Sequence, residues 1–347
     1  MRNLQTTSVA PVAKDMPLAG KIPVVSPLAR VKDLNVQFRS RDATVHAVNG
    51  VSFDLMPRDV LCIIGESGSG KSVTMKSMMR LLPPKKTVMT GEIEVNGHKV
   101  LDLSERQIRH LRGAEISMIF QEPMTALDPV YTIGRQITEA IRAHEPVTTS
   151  EARRRALELL ELVRIPSAVS RLDAYPHELS GGLRQRAMIA VALSCKPKLL
   201  LADEPTTALD ATVQIQVLVL LRQLQDELGM GVIFVTHDIG VAAQIADKIA
   251  VMYAGEIVEF GSARDVLVNP AHPYTRAMLA STVHGQARDA DLPVIPGDPA
   301  DLRRLVAGCR FAPRCGVSKS LCLERAPSLV GVAAHHDAAC HLINSLT

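Results

Sequence analysis

The stretch Gly65-Glu66-Ser67-Gly68-Ser69-Gly70-Lys71-Ser72 decides the fold, because it fits the pattern G-x-x-x-x-G-K-[ST]. In this pattern backbone N–H groups surround nucleotide phosphates, and the glycines let the backbone approach them closely. Lys71 would bring a positive charge to the β and γ phosphates, and the Ser72 hydroxyl would ligate Mg²⁺. An apolar run at residues 60–64 precedes the loop, and a helical pattern from Val73 to Leu82 follows it. The sequence therefore predicts a strand, a phosphate-binding loop and a helix, with nucleotide contacts from residues 65–73.

A second motif lies about 110 residues further on, at Leu179-Ser180-Gly181-Gly182-Leu183-Arg184-Gln185. It resembles the signature motif of ATP-binding cassette (ABC) proteins. The resemblance implies that Ser180, Gly181 and Gly182 begin a helix and cap the γ-phosphate of an ATP molecule held by the facing subunit. The physical reason is that the N-terminus of a helix offers free N–H groups and a favourable dipole to anions.

Two acids follow the apolar run at residues 198–202, namely Asp203 and Glu204. A buried strand that ends in carboxylates places them at the carboxyl edge of a sheet, where nucleotides bind. The family resemblance implies that Asp203 holds Mg²⁺ and that Glu204 polarises the attacking water as a general base.

Three further residues occur in the order that the ABC family shows. Gln121 follows an apolar strand at residues 116–120, and by resemblance it senses Mg²⁺ and the transmembrane partner. Asp210, in Ala208-Leu209-Asp210, resembles the loop that crosses the dimer interface. His237 ends another apolar strand and resembles the switch histidine that contacts the γ-phosphate.

Phe38 is the available aromatic residue for stacking on adenine, since no Phe, Tyr or Trp occurs from Arg39 to Ala47. It could equally be part of the core. No inactivating substitution occurs at Lys71, Asp203, Glu204 or His237, so we expect the site to hydrolyse ATP.

Composition narrows the class of protein. The chain has 347 residues and is 47% hydrophobic, yet it contains no apolar run of 18 residues or more. We therefore expect neither a membrane span nor a secretory signal. The net charge of +3 and the four Tyr, six Phe and no Trp argue against nucleic acid as a partner.

The coarse pattern predicts an α/β fold with a phosphate-loop nucleotide-binding domain, and the resemblance implies that this domain is of the ABC type. We expect a flexible N-terminal extension over residues 1–29, the nucleotide-binding domain over 30–265 and a small C-terminal extension domain over 266–347. The domain would start with an antiparallel β subdomain, and by resemblance an α-helical insert would run from Gln121 to about Ser194. Other predicted elements are the strand 90–97 with an Asn-Gly turn, the helices 151–163 and 213–228, and the strand pair 249–252 and 256–260.

Four of the six cysteines lie in the C-terminal segment, whereas the other two lie in apolar runs and are expected to be buried. The four are Cys309, Cys315, Cys322 and Cys340. Their spacing does not decide among an iron–sulfur cluster, a zinc site and reduced thiols that bind no metal. The C-x₂₋₄-C spacing usual in zinc sites is absent, and iron–sulfur clusters are held by four thiolates in several spacings.

The segments His272-Pro273-Tyr274-Thr275 and Gly308-Cys309-Arg310-Phe311-Ala312-Pro313-Arg314-Cys315 resemble the C-terminal extension of ATPases from oligopeptide, dipeptide and nickel importers. Residues 174–182 resemble the same subfamily. Some of these ATPases bind a [4Fe–4S] cluster through four such cysteines, which implies the same for this chain. One departure is that residues 305–307 lack the proline that the family often has there.

The resemblance implies an ATP-hydrolysing motor subunit of an ABC importer for peptides or a related solute. Its cofactors would be ATP, Mg²⁺ and the [4Fe–4S] cluster. Its partners would be two transmembrane permeases, a second related ATPase (a heterodimer rather than a homodimer) and a substrate-binding protein. These partners would hold it at the cytoplasmic face of the plasma membrane. One alternative is a soluble ABC ATPase that acts on ribosomes or DNA. A third reading is a structural iron–sulfur or zinc protein with a vestigial ATP site.

Overall fold

The computed structural model describes residues 26–207, 209–281 and 294–343. The flexible extension predicted over residues 1–29 lies outside this part of the chain, except that residues 26–28 lead into the first strand at Ala29. Ala208, which belongs to one of the predicted motifs, also lies outside it.

The strands fall into two sheets. In chain order they are β1 Ala29–Arg39, β2 Thr44–Leu55, β3 Val60–Ile64, β4 Thr87–Val95, β5 His98–Lys99, β6 Ile116–Ile119, β7 Leu199–Asp203, β8 Gly231–Thr236, β9 Lys248–Tyr253, β10 Glu256–Ser262, β11 Val330–Ala333 and β12 His336–Ala338.

The helices cover both faces of the larger sheet and form an insert. They are α1 Lys71–Met78, α2 Glu105–Ala114, α3 Pro123–Ala126, α4 Ile133–His144, α5 Thr149–Leu162, α6 Ala168–Arg171, α7 Gly181–Leu193, α8 Ala211–Leu228, α9 Ile239–Ile245, α10 Ala263–Val268, α11 Pro273–Ala280 and α12 Ser320–Glu324. None of these described helices is both long enough and apolar enough to cross a bilayer.

The larger sheet has the strand order β11-β12-β10-β9-β3-β8-β7-β6 within the described residues. The strands from β9 to β6 in this order pair in parallel, and β10 runs antiparallel to β9. Every residue of β3, β7 and β8 is buried, as their unbroken apolar runs predict for parallel strands covered on both faces. The carboxyl ends of β3, β6, β7 and β8 therefore lie along one edge, where ligands bind in such sheets.

The smaller sheet has the order β2-β1-β4-β5, and its neighbouring strands pair antiparallel, which confirms the predicted β subdomain. Asn96 and Gly97 turn between β4 and β5 with φ of 47° and 79°. Two positive φ values are what an Asn-Gly hairpin turn requires, so the turn was predicted correctly.

Helices α3 to α7 lie between β6 and β7 in the chain and form the predicted insert. Helix α8 also agrees with its prediction, and Gly229 ends it with φ of 66°. Helix α1 differs, because it ends at Met78 instead of Leu82. Arg80 has a φ of 49°, and this left-handed backbone turns the chain out of the helix.

The C-terminal residues extend the larger sheet, because β12 of the β11–β12 hairpin pairs with β10. Glu259, fully buried on β10, accepts hydrogen bonds from the N–H groups of Ala271 (2.7 Å) and His272 (2.9 Å). Its carboxylate also lies 2.8 Å from Nε2 of His336 on β12. A single acid thus ties β10, the start of α11 and the C-terminal hairpin together.

Candidate active site

The phosphate loop connects β3 to α1, as predicted. Two of its glycines have no substitute, because a Cβ on Gly65 would lie 2.2 Å from the Met252 carbonyl oxygen and one on Gly70 would lie 2.5 Å from that of Ala47. Gly70 caps α1 with a φ of 104°, and no side chain bonds to the cap. The first N–H groups of α1 therefore remain available to an anion.

Lys71 lies inside the curve of the loop and is buried. Its Nζ donates hydrogen bonds to the carbonyl oxygens of Gly65 (2.8 Å) and Glu66 (2.9 Å). Burial lowers the pKa of Lys71, while the carboxylates of Glu204 and Asp203 oppose the shift. A bound phosphate would add further negative charge and favour the ammonium form.

Ser72 and Asp203 lie together at the base of the loop. The Ser72 hydroxyl donates to Oδ1 of Asp203 at 2.6 Å, and Lys76 lies 4.0 Å from the other carboxylate oxygen. Asp203 is only 2% exposed, and burial raises its pKa, although the Ser72 hydrogen bond opposes the shift. One hydroxyl and one carboxylate are the oxygen ligands that suit Mg²⁺ when phosphate oxygens complete its shell.

Glu204 joins the predicted site residues from three separate segments. One oxygen of its carboxylate lies 3.1 Å from Nδ1 of His237, and the other accepts from Nε2 of Gln121 (3.1 Å) and from Thr207 (3.0 Å). Glu204 has a φ of 44°, a strained value for a residue with a side chain, and its N–H donates to Val235 at 3.0 Å. Such strain is typical of residues at functional sites.

A cavity of about 750 Å³ brings these groups together. It is lined by Gly65, Glu66, Ser67, Gln121, Glu204, His237, Met278, Ser281, Val294, Ile295 and Arg314. The first three residues of the phosphate loop, the glutamine and the general-base candidate therefore face one space, whereas Lys71, Ser72 and Asp203 are not among its lining residues. This arrangement provides phosphate binding beside a carboxylate that can orient water.

The signature motif takes the predicted position at a helix N-terminus but lies outside this cavity. Ser180 is the N-cap of α7, and Gly181 and Gly182 form its first turn. None of the three is among the described residues that line the cavity. Asp210 is exposed and caps α8, where its carboxylate accepts from the Val213 N–H at 3.0 Å.

Phe38 is partly buried on β1 and packs against the core of the smaller sheet. This packing agrees with the alternative reading of Phe38 as a core residue. Its stacking on adenine stays a prediction.

The sequence reasoning missed the contribution of the C-terminal segment to this site. Arg314 pairs with Glu66 of the loop through two hydrogen bonds of 2.8 and 3.1 Å, and the Tyr274 hydroxyl accepts from the Glu66 N–H at 2.9 Å. One signal was present in the sequence. This signal is the acid Glu66, because an acid in a loop that binds anions needs a cation nearby. Nothing in the sequence indicates which residue supplies that cation.

The four C-terminal cysteines converge, because Cys309, Cys315, Cys322 and Cys340 line one small cavity. The backbone supports this, since the Cys309 N–H donates to the Cys322 carbonyl at 2.7 Å. Burial raises the pKa of Cys309 to about 11 and also raises the pKa values of Cys315 and Cys340. Within the described residues, no group of three or more His, Cys, Asp or Glu side chains is placed to hold a metal ion.

Two family models match the chain. The ABC transporter model matches residues 48–207, and the model of the oligopeptide/dipeptide transporter C-terminal region matches residues 258–322. Among solved structures, the ATP-binding cassette MJ0796, in a dimeric post-hydrolysis state with ADP and phosphate, has a TM-score of 0.61. It is 29% identical, and the alignment covers 68% of this chain and 99% of that one.

Curated relatives match over most of the chain. A probable peptide ABC transporter ATP-binding protein of Sinorhizobium fredii is 49% identical over 92% of this chain and 96% of its own length. The oligopeptide transport ATP-binding protein OppD of Bacillus subtilis is 46% identical over 90% of this chain and 88% of its own. The chain therefore belongs to the ATP-hydrolysing cassette proteins of the ABC transporter family, in the branch with the oligopeptide/dipeptide transporter C-terminal region.

Proposed function

We propose that this chain is the motor subunit of an ABC importer for peptides or a related small solute. The observation that carries the proposal is that Glu204, held by Gln121 and His237, faces the same cavity as the first three residues of the phosphate loop. The C-terminal region and the relatives that are peptide transport proteins support an importer rather than an ATPase of ribosomes or DNA.

The chain's own groups divide the reaction between them. The loop N–H groups and Lys71 would bind the β and γ phosphates, and Glu204 would orient water and take its proton. His237, 3.1 Å from Glu204, would contact the γ-phosphate. Ser72 and Asp203, with Gln121, would hold Mg²⁺, which neutralises phosphate charge when bound.

The test is Glu204→Gln in the assembled transporter. We expect ATP binding to persist and turnover to fall by about 10²-fold or more, because only the general base is lost. Glu139→Gln, an exposed change on α4, is the control and should leave turnover unchanged. If turnover by the Glu204→Gln transporter matched that of the wild type, the assignment of the base would be wrong.

We further propose a head-to-tail pair of ATPases, in which each signature motif completes the facing site. Ser180, Gly181 and Gly182 form the start of α7, and no side chain caps that end, which supports this because the first N–H groups remain available to an anion. The second ATPase would be a related, distinct chain. Two permeases and a substrate-binding protein would complete the complex and hold the ATPases at the cytoplasmic face of the membrane.

Ser180→Arg tests this pairing. We expect nucleotide binding at Lys71 to be retained in the variant chain, and turnover at the facing site to be lost because the arginine fills the phosphate cap. Ser170→Arg, an exposed change in the same insert, should leave both unchanged. Full turnover by a monomeric preparation would contradict the pairing.

We also propose that the four C-terminal cysteines ligate a [4Fe–4S] cluster with a structural role. Their convergence on one cavity supports this, and soft thiolates suit iron–sulfur ligation. Cluster binding would displace the thiol protons and supply folding energy to this segment.

Iron and sulfide analysis, with a visible spectrum of anaerobically purified protein, tests the cluster. We expect about four iron and four sulfide per chain. Cys322→Ser should lower both, whereas Cys195→Ser, a cysteine away from the cavity, should not. One tightly bound zinc ion, or four freely titratable thiols in the native chain, would contradict the cluster.

The division of the chain also remains our proposal. Residues 30–265 would form the nucleotide-binding domain and 266–347 the extension. The two family matches, at 48–207 and 258–322, support a division into two parts, although the second match begins eight residues before the proposed boundary. The pairing of β12 with β10 supports an extension that is docked on the domain.

A further inference from the structure

A buried arginine from the C-terminal segment contacts the second residue of the phosphate loop. The side chain of Arg314 is 6% exposed, and its two terminal nitrogens lie 2.8 and 3.1 Å from the two carboxylate oxygens of Glu66. Its Nε donates to the Pro296 carbonyl at 2.9 Å. Two parallel hydrogen bonds and a third anchor fix both the guanidinium and the carboxylate in one orientation.

The same loop residue is held from a second side. The Glu66 N–H donates to the Tyr274 hydroxyl at 2.9 Å, and Tyr274 is fully buried against the rings of Tyr253 and Phe311. Both the backbone and the side chain of Glu66 are therefore bonded to residues at least 208 positions away.

The charge of Glu66 is a problem for a loop that binds phosphates. Glu66 is one of the residues that line the cavity, beside Gly65 and Ser67, where a bound nucleotide would bring several negative charges. Like charges in a partly buried site repel each other strongly, because water screens them less than at an open surface. Arg314 cancels this charge and holds the carboxylate by both oxygens.

We propose that Arg314 is a positioning residue for the phosphate loop, which it holds in its nucleotide-binding form by neutralising and orienting Glu66. The inference rests on the proposed function in one respect, namely that this loop binds ATP. Arg314 thereby makes the C-terminal segment, which also carries Cys315, part of the nucleotide site.

A simpler role for Arg314 would be to attach the C-terminal segment to the domain. A second buried arginine, Arg310, makes a similar ion pair and allows the two roles to be compared. Arg310 has a side chain that is 7% exposed and bonds Glu256 at 2.7 Å. This pair also joins the C-terminal segment to the main sheet, but neither residue lines the nucleotide cavity. Arg310→Met is therefore the matched control, because it removes an ion pair that attaches the C-terminal segment without changing the nucleotide cavity.

The experiment measures ATP affinity of the full chain by equilibrium titration, with KM and kcat of the assembled transporter beside it. In Arg314→Met we expect the Kd for ATP to rise about tenfold or more, since an unpaired carboxylate then faces the phosphates. KM should rise with Kd, and kcat should change less. The rise in Kd should be smaller at high salt, because salt screens the repulsion between Glu66 and the phosphates.

Two variants separate the neutralisation of Glu66 from the attachment of the C-terminal segment. Arg314→Met/Glu66→Gln removes both charges and should return the Kd to within about threefold of the wild type, as a double-mutant cycle requires of a coupled pair. Arg310→Met should lower the Tm while the Kd for ATP stays that of the wild type.

Three results would overturn the proposal: a wild-type Kd in Arg314→Met, a double variant as weak as the single one, or an equal loss in Arg310→Met. If Arg314→Met does not fold, Arg314→Lys and Glu66→Gln replace it, and Glu66→Gln must bind ATP more tightly than Arg314→Lys. Absence of ATP binding by the wild-type chain would instead refute the proposed function.

Discussion

Asp203 shows at the scale of one residue how the fold prepares a site for a cation. Its carboxyl group ends the buried strand β7 and has the Ser72 hydroxyl at 2.6 Å. Burial raises its pKa above the ordinary range of an aspartate. A proton and a metal ion therefore compete for the same carboxylate, and metal binding must release the proton.

We predict that the Mg²⁺ dependence of ATP binding weakens as pH falls through the raised pKa of Asp203, because Mg²⁺ binds the ionised form. Asp203→Asn cannot titrate and should bind Mg²⁺ weakly with little change over this pH range. Magnesium titrations of ATP binding over a range of pH values measure this. Asp173→Asn, an exposed acid in the insert, should behave like the wild type. A pH-independent Mg²⁺ affinity in the wild type would contradict the prediction.

Most of the site residues could be predicted because each follows an apolar strand. Gln121, Asp203 and His237 come after β6, at the end of β7 and after β8, so parallel pairing brings them to one edge. Arg314 could not be predicted in this way. It lies 248 residues from Glu66 in an irregular segment, where no periodicity indicates the direction of a side chain.

At the scale of one element, helix α11 depends on an uncharged histidine. His272 is its N-cap, and Nδ1 of the ring accepts from the Tyr274 N–H at 3.0 Å, which requires that this nitrogen carries no proton. The ring is 1% exposed, and burial lowers its pKa from 6.5 to about 4. Protonation would remove the cap and place an unpaired charge in the core.

We predict that His272 makes the free energy of unfolding fall as pH decreases from 6.5 to about 4. The sign follows because, in this range, the unfolded state binds the proton and the folded state does not. The full loss attributable to His272 is about 3 kcal/mol. Denaturant unfolding at several pH values should show a smaller slope in His272→Asn, which keeps an acceptor at the cap.

The matched control for this helix is His98→Asn, because His98 is exposed on β5. Its pH slope should equal that of the wild type. An unchanged slope in His272→Asn would show that His272 does not set the acid sensitivity.

The ends of the elements were predicted less well than their existence. Helix α8 agrees with its pattern because Asp210 caps its start and Gly229 ends it, and both are local signals. Helix α1 ends four residues before the predicted Leu82, although residues 79–82 remain apolar enough to continue it. Leu82 is buried outside the helix, so tertiary packing decided its position.

At the scale of the whole molecule, Glu259 is the acid that joins three parts of the chain. It is fully buried, and its partners Ala271, His272 and His336 lie 12, 13 and 77 residues away. Without the carboxylate, buried donors from two segments would lose their acceptor. The C-terminal hairpin would then depend on the short pairing of β12 with β10.

We predict that Glu259→Ala lowers the free energy of unfolding by about 3–5 kcal/mol, as is typical when a buried charged partner is removed. Glu259→Gln keeps one acceptor oxygen and should cost less. Denaturant unfolding gives the free energies, and limited proteolysis reports release of the C-terminal segment. The control is Glu139→Ala at an exposed ion pair, where we expect a change within about 0.5 kcal/mol. An equally small change in Glu259→Ala would show that the segment is held elsewhere.

The two-sheet architecture could be predicted from the chain, whereas the docking of its last residues could not. Strands β11 and β12 have only four and three residues, and β11 is mostly exposed. Such short strands carry little hydrophobic pattern, so their pairing depends on an available sheet edge at β10 and on Glu259.

The contact between Arg314 and Glu66 has a consequence for how the protein is made. A ribosome releases residues 65–72 well before residue 314, which lies 248 residues after Glu66, and folding of the emerging chain proceeds from the N-terminus. If Arg314 acts as proposed, the nascent loop has an uncompensated acid until most of the polypeptide has appeared. ATP would then bind weakly to unfinished or prematurely terminated chains. Tight nucleotide binding would then begin only once the segment that carries Arg314 has docked on the domain.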